Sequence, residues 1–292
     1  MPCARMSQSA AAILLLLLCN ALYTLGYAIA RLLADSLDPL EITFLRSALV
    51  LAAAMGLSLR VRDPGAAWAR ALAPPRAWDQ RLAALVLILS TTLGVWGYAL
   101  VPVTEASTLG FTAPIILVAL GAIVLRERVE ARRWIAVAIG FAGMLLVVRP
   151  GTAFGWEAAV PVASALTYAL YQVLTRRLRG AADERDAMVQ GAIMGVLLLG
   201  PPMLILWRTP DAGSAALVVL YTLVQTAALA ALAGAVRRAE VSALAPWHYA
   251  RIVFALALDA ALFGRLPDAV AIAGAALIAA GGLILAARAR RA

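Results

Sequence analysis

The chain has 292 residues, 64% of them hydrophobic and only 14% charged, with a mean hydropathy of +0.90. Soluble domains carry about 25% charged residues, so a water-soluble enzyme or binding domain is excluded and an all-α integral membrane protein is expected. The formal charge of +9 comes from 25 basic residues, all arginine, and these lie between apolar runs rather than on one soluble face, which argues for loop charges that fix orientation and against a nucleic-acid partner.

A membrane-spanning helix needs about 20 apolar residues. Ten segments meet that length in chain order: roughly 10–33, 40–59, 81–100, 105–125, 132–149, 155–176, 187–207, 213–236, 241–263 and 267–287. The first imitates a signal peptide, but Leu18 rather than a small residue precedes Cys19 and the apolar character runs on to Leu33, so it is read as a retained spanning helix. The second carries Arg46 inside its apolar run. The stretch between the second and third holds Pro64, Gly65, Pro74 and Pro75 and cannot be one regular helix. Tyr98 lies near the end of the third segment. The fourth opens on Glu105, with two readings: an acid suited to a helix N-terminus, or a proton-linked carboxylate at a vestibule. Glu41 and Glu157 share the first reading. Pro114, within the fourth, and Pro246, within the ninth, are expected to kink their helices and to free carbonyls that can line a cavity.

The sixth segment places Tyr168, Tyr171 and Gln172 together. A polar, aromatic cluster in mid-bundle seldom faces lipid, so these three are candidates for the wall of a binding site, with Trp247 and Tyr98. The ninth contains Trp247, His248, Arg251 and Asp259. A charge at mid-membrane costs about 2.5–3.5 kcal/mol on insertion scales and normally faces a cavity or a partner. Arg251 is therefore either an anchor for an anionic substrate group or a structural pair. Asp259 is eight residues on, about 12 Å along a helix, too far to pair with Arg251. It matches Arg46 in depth, and an Arg46–Asp259 pair would be either a gate or a static strut. His248, the only histidine, is either structural or, with Glu105, a proton-coupling group.

Orientation follows from the arginines. With the N-terminus in the cytoplasm, nineteen of the 25 fall on inside segments and four outside, while Arg46 and Arg251 stay within spans. This split supports an even number of spans with both termini inside. Internal similarity is weak but consistent. Tyr27 matches Tyr171 at an offset of 144, and Ala142-Gly143 matches Ala280-Gly281 at an offset of 138. An odd number of spans per half puts the second half in upside down, an inverted repeat of the kind secondary transporters use.

The stretches DPLEITFLRSALVL, VPVTEASTLGFTAPIILVALGAIVLRERV and RRWIAVAIGFAGMLLVVRPG, followed by ASALTYALYQVLTRRL and AEVSALAPWHYARIVFALALDAALFGRLPDAVAIAGAALIAAGGLIL, resemble an EamA-type member of the drug/metabolite transporter superfamily. The resemblance implies two five-helix EamA repeats, over 10–149 and 155–287, cytoplasmic termini, and a permease for small metabolites such as an amino acid, a vitamin or a nucleoside-type cofactor. It also implies an acidic residue where the fourth helix of each repeat ends. Glu127 matches in the first half, but the corresponding position of the second half is Arg265, with Asp268 as a stand-in. The expected location is the cytoplasmic (inner) membrane of a bacterium. The expected partners are the solute, membrane lipids and a coupling proton or sodium ion, with the oligomeric state left open. Cys3 and Cys19 offer no metal spacing. Neither a Walker loop nor a nucleophile motif is present, so no cofactor and no enzymatic activity are expected. The alternative is an integral membrane enzyme or lipid-handling protein, which needs a carboxylate or histidine cluster at one interface.

Overall fold

Inside a lipid bilayer a backbone amide finds no water, so a chain this apolar must close its hydrogen bonds within each segment. The computed structural model does so with helices alone among the described residues, which are 2–33, 36–58, 65, 68–69, 72–100, 109–149, 155–180, 184–263 and 267–289. The helices are α1 (Pro2–Leu33), α2 (Pro39–Ser58), α3 (Ala77–Leu100), α4 (Ala113–Val124), α5 (Ala131–Val148), α6 (Ala159–Arg177), α7 (Glu184–Leu206), α8 (Ala212–Arg238), α9 (Val241–Leu244), α10 (Ala250–Phe263) and α11 (Ala269–Ala289). Single 3₁₀ turns, Trp156–Ala158 and Ala245–Tyr249, lead into α6 and α10. Among the described residues, seven helical stretches are long and apolar enough to cross a membrane. The outer faces carry fully presented apolar side chains such as Leu204 and Ile205, 90% and 88% exposed. Water would penalise that surface and acyl chains do not.

Two segments differ from the continuous helices expected. The fourth breaks at a turn through Phe111 and Thr112, and α4 starts anew at Ala113 with Pro114 in its first turn. Proline is tolerated there because its missing N–H has no intrahelical acceptor to lose. Pro114 therefore starts a helix rather than bending one. The ninth segment is three pieces: α9, the 3₁₀ turn that holds Pro246, and α10. Pro246 sits in the first turn of the 3₁₀ piece, so the expected kink is a full change of helix type.

The helices pair across the two halves of the chain. α1 packs on α8, α3 on α6, α2 on α7 and α5 on α11. The α5–α11 crossing is the tightest. A β-carbon on Gly143 would stand 2.6 Å from the Gly274 carbonyl oxygen, and one on Gly281 would stand 2.8 Å from that of Ala136. Lipid gives no hydrophobic drive for helix association, so close backbone approach over small residues replaces it. Beneath these pairs lies one buried cluster that includes Leu16, Cys19, Leu117, Met144, Leu232 and Tyr249.

Contacts between loops sort into two faces. At one face Arg76 Nη1 donates to the Arg177 carbonyl, Arg176 Nη1 to those of Val236 and Arg237, and Arg133 pairs with Glu240 at 2.5 Å. At the other, Ser36 bonds Ser214, the Arg208 amide donates to Glu41, and Arg149 pairs with Asp268. The first is the arginine-rich face. Glu41 is fully buried and serves the end of α7 rather than only the start of its own helix. Asp268 accepts from Arg149 and, through the same carboxylate, from the Ala271 amide at 2.8 Å, and so caps α11.

The glycine crossing makes a direct prediction. Gly143→Ala is expected to destabilise the protein by about 1–3 kcal/mol, since the facing group is backbone and cannot turn aside. Gly56→Ala, with nothing within 4 Å of the added carbon, is the control. Thermal unfolding of the detergent-solubilised proteins compares the two.

Candidate functional site

The break at Ala245–Tyr249 exposes carbonyls that an unbroken helix would use internally, and first-half side chains take them up. Asn20 of α1, 1% exposed, donates its Nδ2 to the Trp247 carbonyl at 2.9 Å. Thr24, one turn further, faces the Arg251 carbonyl at 3.5 Å. His248 lies 3.0 Å from Gln172 Oε1 through its Nε2. An amide oxygen only accepts, so Nε2 carries the proton. The Tyr168 ring stands edge-on to the His248 ring, centroids 6.3 Å apart. Tyr249 is fully buried against Gly140, where a β-carbon would meet its ring at 2.5 Å. The Trp247 ring lies over Gly282 of α11, away from α6. The expected wall residues Tyr168 and Gln172 thus pack in a hub against His248, the expected structural or proton-coupling group, and Gln172 and His248 serve each other.

Arg251 enters the same hub. Its guanidinium carbon lies 5.8 Å from the Tyr23 ring centroid and 5.6 Å from that of Phe111. Two rings at that distance stabilise a cation whose desolvation is otherwise costly. Phe111 belongs to the turn that breaks the fourth segment, so the two interrupted segments meet at Arg251.

The cavity lies elsewhere. A space of about 60 Å³ is enclosed by α2, α3, α6, α7 and α8, and is lined by Arg46, Ser47, Gln80, Tyr171, Thr175, Thr226 and Arg237 among others. It runs from Arg46, about 18 Å along α2 from the arginine-rich end, to Gln80 and Arg237 near that end. Three of its polar atoms are buried without a hydrogen-bond partner: Arg46 Nε, Gln80 Oε1 and Thr226 Oγ1. Buried polar atoms are nearly always satisfied, so three orphans around one space mark it as a place for water or solute. Tyr171 is the expected wall residue that the cavity does include; Arg46, expected in a gate pair, is the other anticipated residue found there. Among the described residues Arg46 makes no ion pair, and the side chain of Asp259 lies outside them, as do that of Tyr98 and the whole of Glu105. Gln80, Thr175, Thr226 and Arg237 were not anticipated. Each is a lone polar residue in an apolar helix or a terminal arginine among many, and only tertiary packing collects them.

At the arginine-rich face the first half caps the second. The Glu127 carboxylate accepts from the amides of Val241 and Ser242 at 3.0 and 3.1 Å and from the Ser242 hydroxyl. Arg133 Nη1 donates to the same hydroxyl at 2.6 Å. An acid at a helix N-terminus satisfies orphan donors and complements the dipole; here it comes from 114 residues away. Arg265, the counterpart position, lies outside the described residues. Among the described residues no group of His, Cys, Asp and Glu is placed to hold a metal ion.

Residues 10–149 match the EamA-like transporter family. The chain is 24% identical over 209 residues to the S-adenosylmethionine uptake transporter of Rickettsia prowazekii, covering 71% of each chain. It is 27% identical over 210 residues to the riboflavin transporter of Rhizobium johnstonii, covering 71% of this chain and 70% of that one. A solved crystal structure superposes with a TM-score of 0.78 at 19% identity, covering 99% of this chain and 98% of that one, a likeness of fold.

Two mutations test the contacts at the two faces. Glu127→Ala leaves two amides and the Ser242 hydroxyl short of an acceptor and is expected to cost about 1–3 kcal/mol, whereas Glu130→Ala, at an exposed ion pair, leaves the unfolding temperature unchanged. At the other face, the hydrogen bond from Arg149 and that from the Ala271 amide hold the Asp268 carboxyl below its ordinary value of 3.8. A depressed carboxyl contributes stability above its unfolded pKa and loses it as pH falls through the folded one. The Asp268→Asn difference in unfolding temperature is therefore constant from pH 5 to 8 and shrinks below about pH 4. A difference that grows on acidification would contradict the assignment.

Proposed function

Since this chain belongs to the EamA-type transporters of the drug/metabolite transporter superfamily, we propose that it is a secondary transporter that carries a small organic metabolite across a bacterial cytoplasmic membrane by alternating access. The observation that carries this reading is the cavity between the halves, with its orphaned polar atoms at membrane depth. In this reading the arginine-rich face is cytoplasmic, by the positive-inside rule, so the cavity leads from Arg46 towards the cytoplasm. At about 60 Å³ it holds a few water molecules, whereas metabolite sites run to about 300 Å³ or more. The structure then corresponds to a nearly closed state that must widen to load.

Two five-helix repeats, 10–149 and 155–287, make the alternation possible. Their support is a symmetry of contacts. Exchanging each span with its counterpart five spans away turns the α1–α8 pair into the α6–α3 pair and leaves α2–α7 and α5–α11 in place. The offset of 138 read in the sequence also converts the Gly143–Gly274 approach into the one between Gly281 and Ala136, atom for atom at the carbonyl. A local fit between two inverted halves that is nearly equal in two arrangements is what lets a binding site face either side. The relatives named for S-adenosylmethionine and riboflavin support a solute of the vitamin or nucleoside type. With no nucleotide-binding motif, the driving force in this reading is the solute's own gradient or that of a proton or sodium ion. The hub around His248 and Arg251 orders the broken helices that border the site, rather than forming its wall.

Purified protein in liposomes tests the reading by counterflow. Vesicles loaded with unlabelled riboflavin, S-adenosylmethionine or an amino-acid mixture are diluted into the labelled compound. For at least one of these, trans-loading is expected to accelerate saturable entry several-fold over protein-free liposomes without ATP. Entry that is non-saturable and indifferent to loading for every solute would sink it.

A further inference from the structure

Two arginines, Arg46 and Arg237, line the cavity, and among the described residues no acidic side chain lines it or pairs with Arg46; this points to the charge of the solute. An arginine does not escape burial by losing its proton, because the delocalised guanidinium holds it throughout the physiological range. Arg46 sits about 18 Å into the membrane span, its Nε buried and without a hydrogen-bond acceptor, its guanidinium lining the cavity. Arg251, the other mid-span arginine, is held between two aromatic rings; Arg46 has no such stacking among the described residues. Intramembrane arginines normally face a water-filled cavity or a counter-charge. Around Arg46 the neighbouring hydroxyls do not supply one: Ser47 and Thr175 donate to carbonyls of their own helices. Thr226 Oγ1 is free to donate into the same space, and Gln80, with its Nε2 committed to the Pro75 carbonyl, offers only its Oε1 acceptor.

We propose that Arg46 is the anchor for an anionic group, a carboxylate or phosphate, on the transported metabolite, with Thr226 as a second donor to that group and Gln80 accepting from a hydroxyl or amine on its body. Guanidinium and carboxylate or phosphate match in charge and in fork geometry, and in a low-dielectric cavity such a pair is far stronger than in water. The site then disfavours a solute whose nearest group is a cation, including the sulfonium end of S-adenosylmethionine. This rests on the transporter reading for its meaning but not for its test.

The experiment is a thermal-shift titration of the purified full-length chain with inorganic phosphate and lactate, each beside a neutral counterpart, trimethyl phosphate and lactamide, at constant ionic strength. Wild type is expected to be stabilised by at least one anion at millimolar concentration and by neither neutral compound. Arg46→Gln abolishes the shift, Arg46→Lys retains part of it, Thr226→Val weakens it several-fold and Arg251→Gln leaves it in place. If Arg46→Gln fails to fold, Arg46→Lys and Thr226→Val decide. The proposal is overturned if the neutral compounds stabilise equally, if the shift survives Arg46→Gln, if Arg46→Lys and Thr226→Val both leave it unchanged, or if no anion acts up to 20-fold the concentration of the others' solubility-matched controls. Stabilisation of wild type by an anion together with no counterflow of any of the solutes named above keeps the anion site and removes the transporter reading instead.

Discussion

Lipid supplies no hydrogen bonds, and nearly every polar feature of this structure answers to that constraint. Continuous helices satisfy it by themselves. The two interrupted segments do not: the turn at Phe111–Thr112 closes locally, with Thr112 donating to the Leu109 carbonyl, whereas the ninth segment is completed by groups from other elements. Asn20 takes the Trp247 carbonyl, and Glu127 takes the amides that open α9. Both donors of partnership come from the first half and both recipients lie in the second. The irregular backbone of the second half is thus held in part by the first.

The same constraint separates two arginines that look equivalent. Arg251 lies at the meeting point of the two breaks, where Tyr23 and Phe111 flank it. Its role follows from packing: it fills and orders the place where two chain interruptions face each other. Arg46 lies on an unbroken helix and points into a space lined by α2, α3, α6, α7 and α8. In the proposed reading one cation belongs to the scaffold and the other is available to a ligand, and the difference is set by neighbours from distant parts of the chain.

That difference also marks the limit of what the sequence discloses. Membrane character and helical structure follow from composition and segment length, and the resemblance to EamA-type transporters rests on stretches such as the one around Glu127, because these depend on single segments. The prolines signal that the fourth and ninth segments are not simple helices, although the form of the break, a turn and a 3₁₀ piece, depends on what packs around it. His248 and Gln172 are both conspicuous in the sequence, one as a structural or proton-coupling group and the other as a wall candidate, yet their mutual bond joins positions 76 residues apart and is visible only in the packed structure. Gln80 and Thr226 carry no signal at all. A single polar residue in an apolar helix has no periodicity, and only the packing of α3 and α8 around one cavity gives them a common purpose.

The α5–α11 crossing has a mechanical consequence. Helices that touch through side chains can slide, since rotamers adjust as the surfaces shear. Helices that touch through backbone at Gly143, Gly274, Gly281 and Ala136 have no such lubricant: any axial slip drives a carbonyl into a neighbouring chain. Their ends are further clamped by Arg149 and Asp268. This pair moves as one piece, a keel along the side of the bundle, and the widening of the cavity has to be hinged among the other helices.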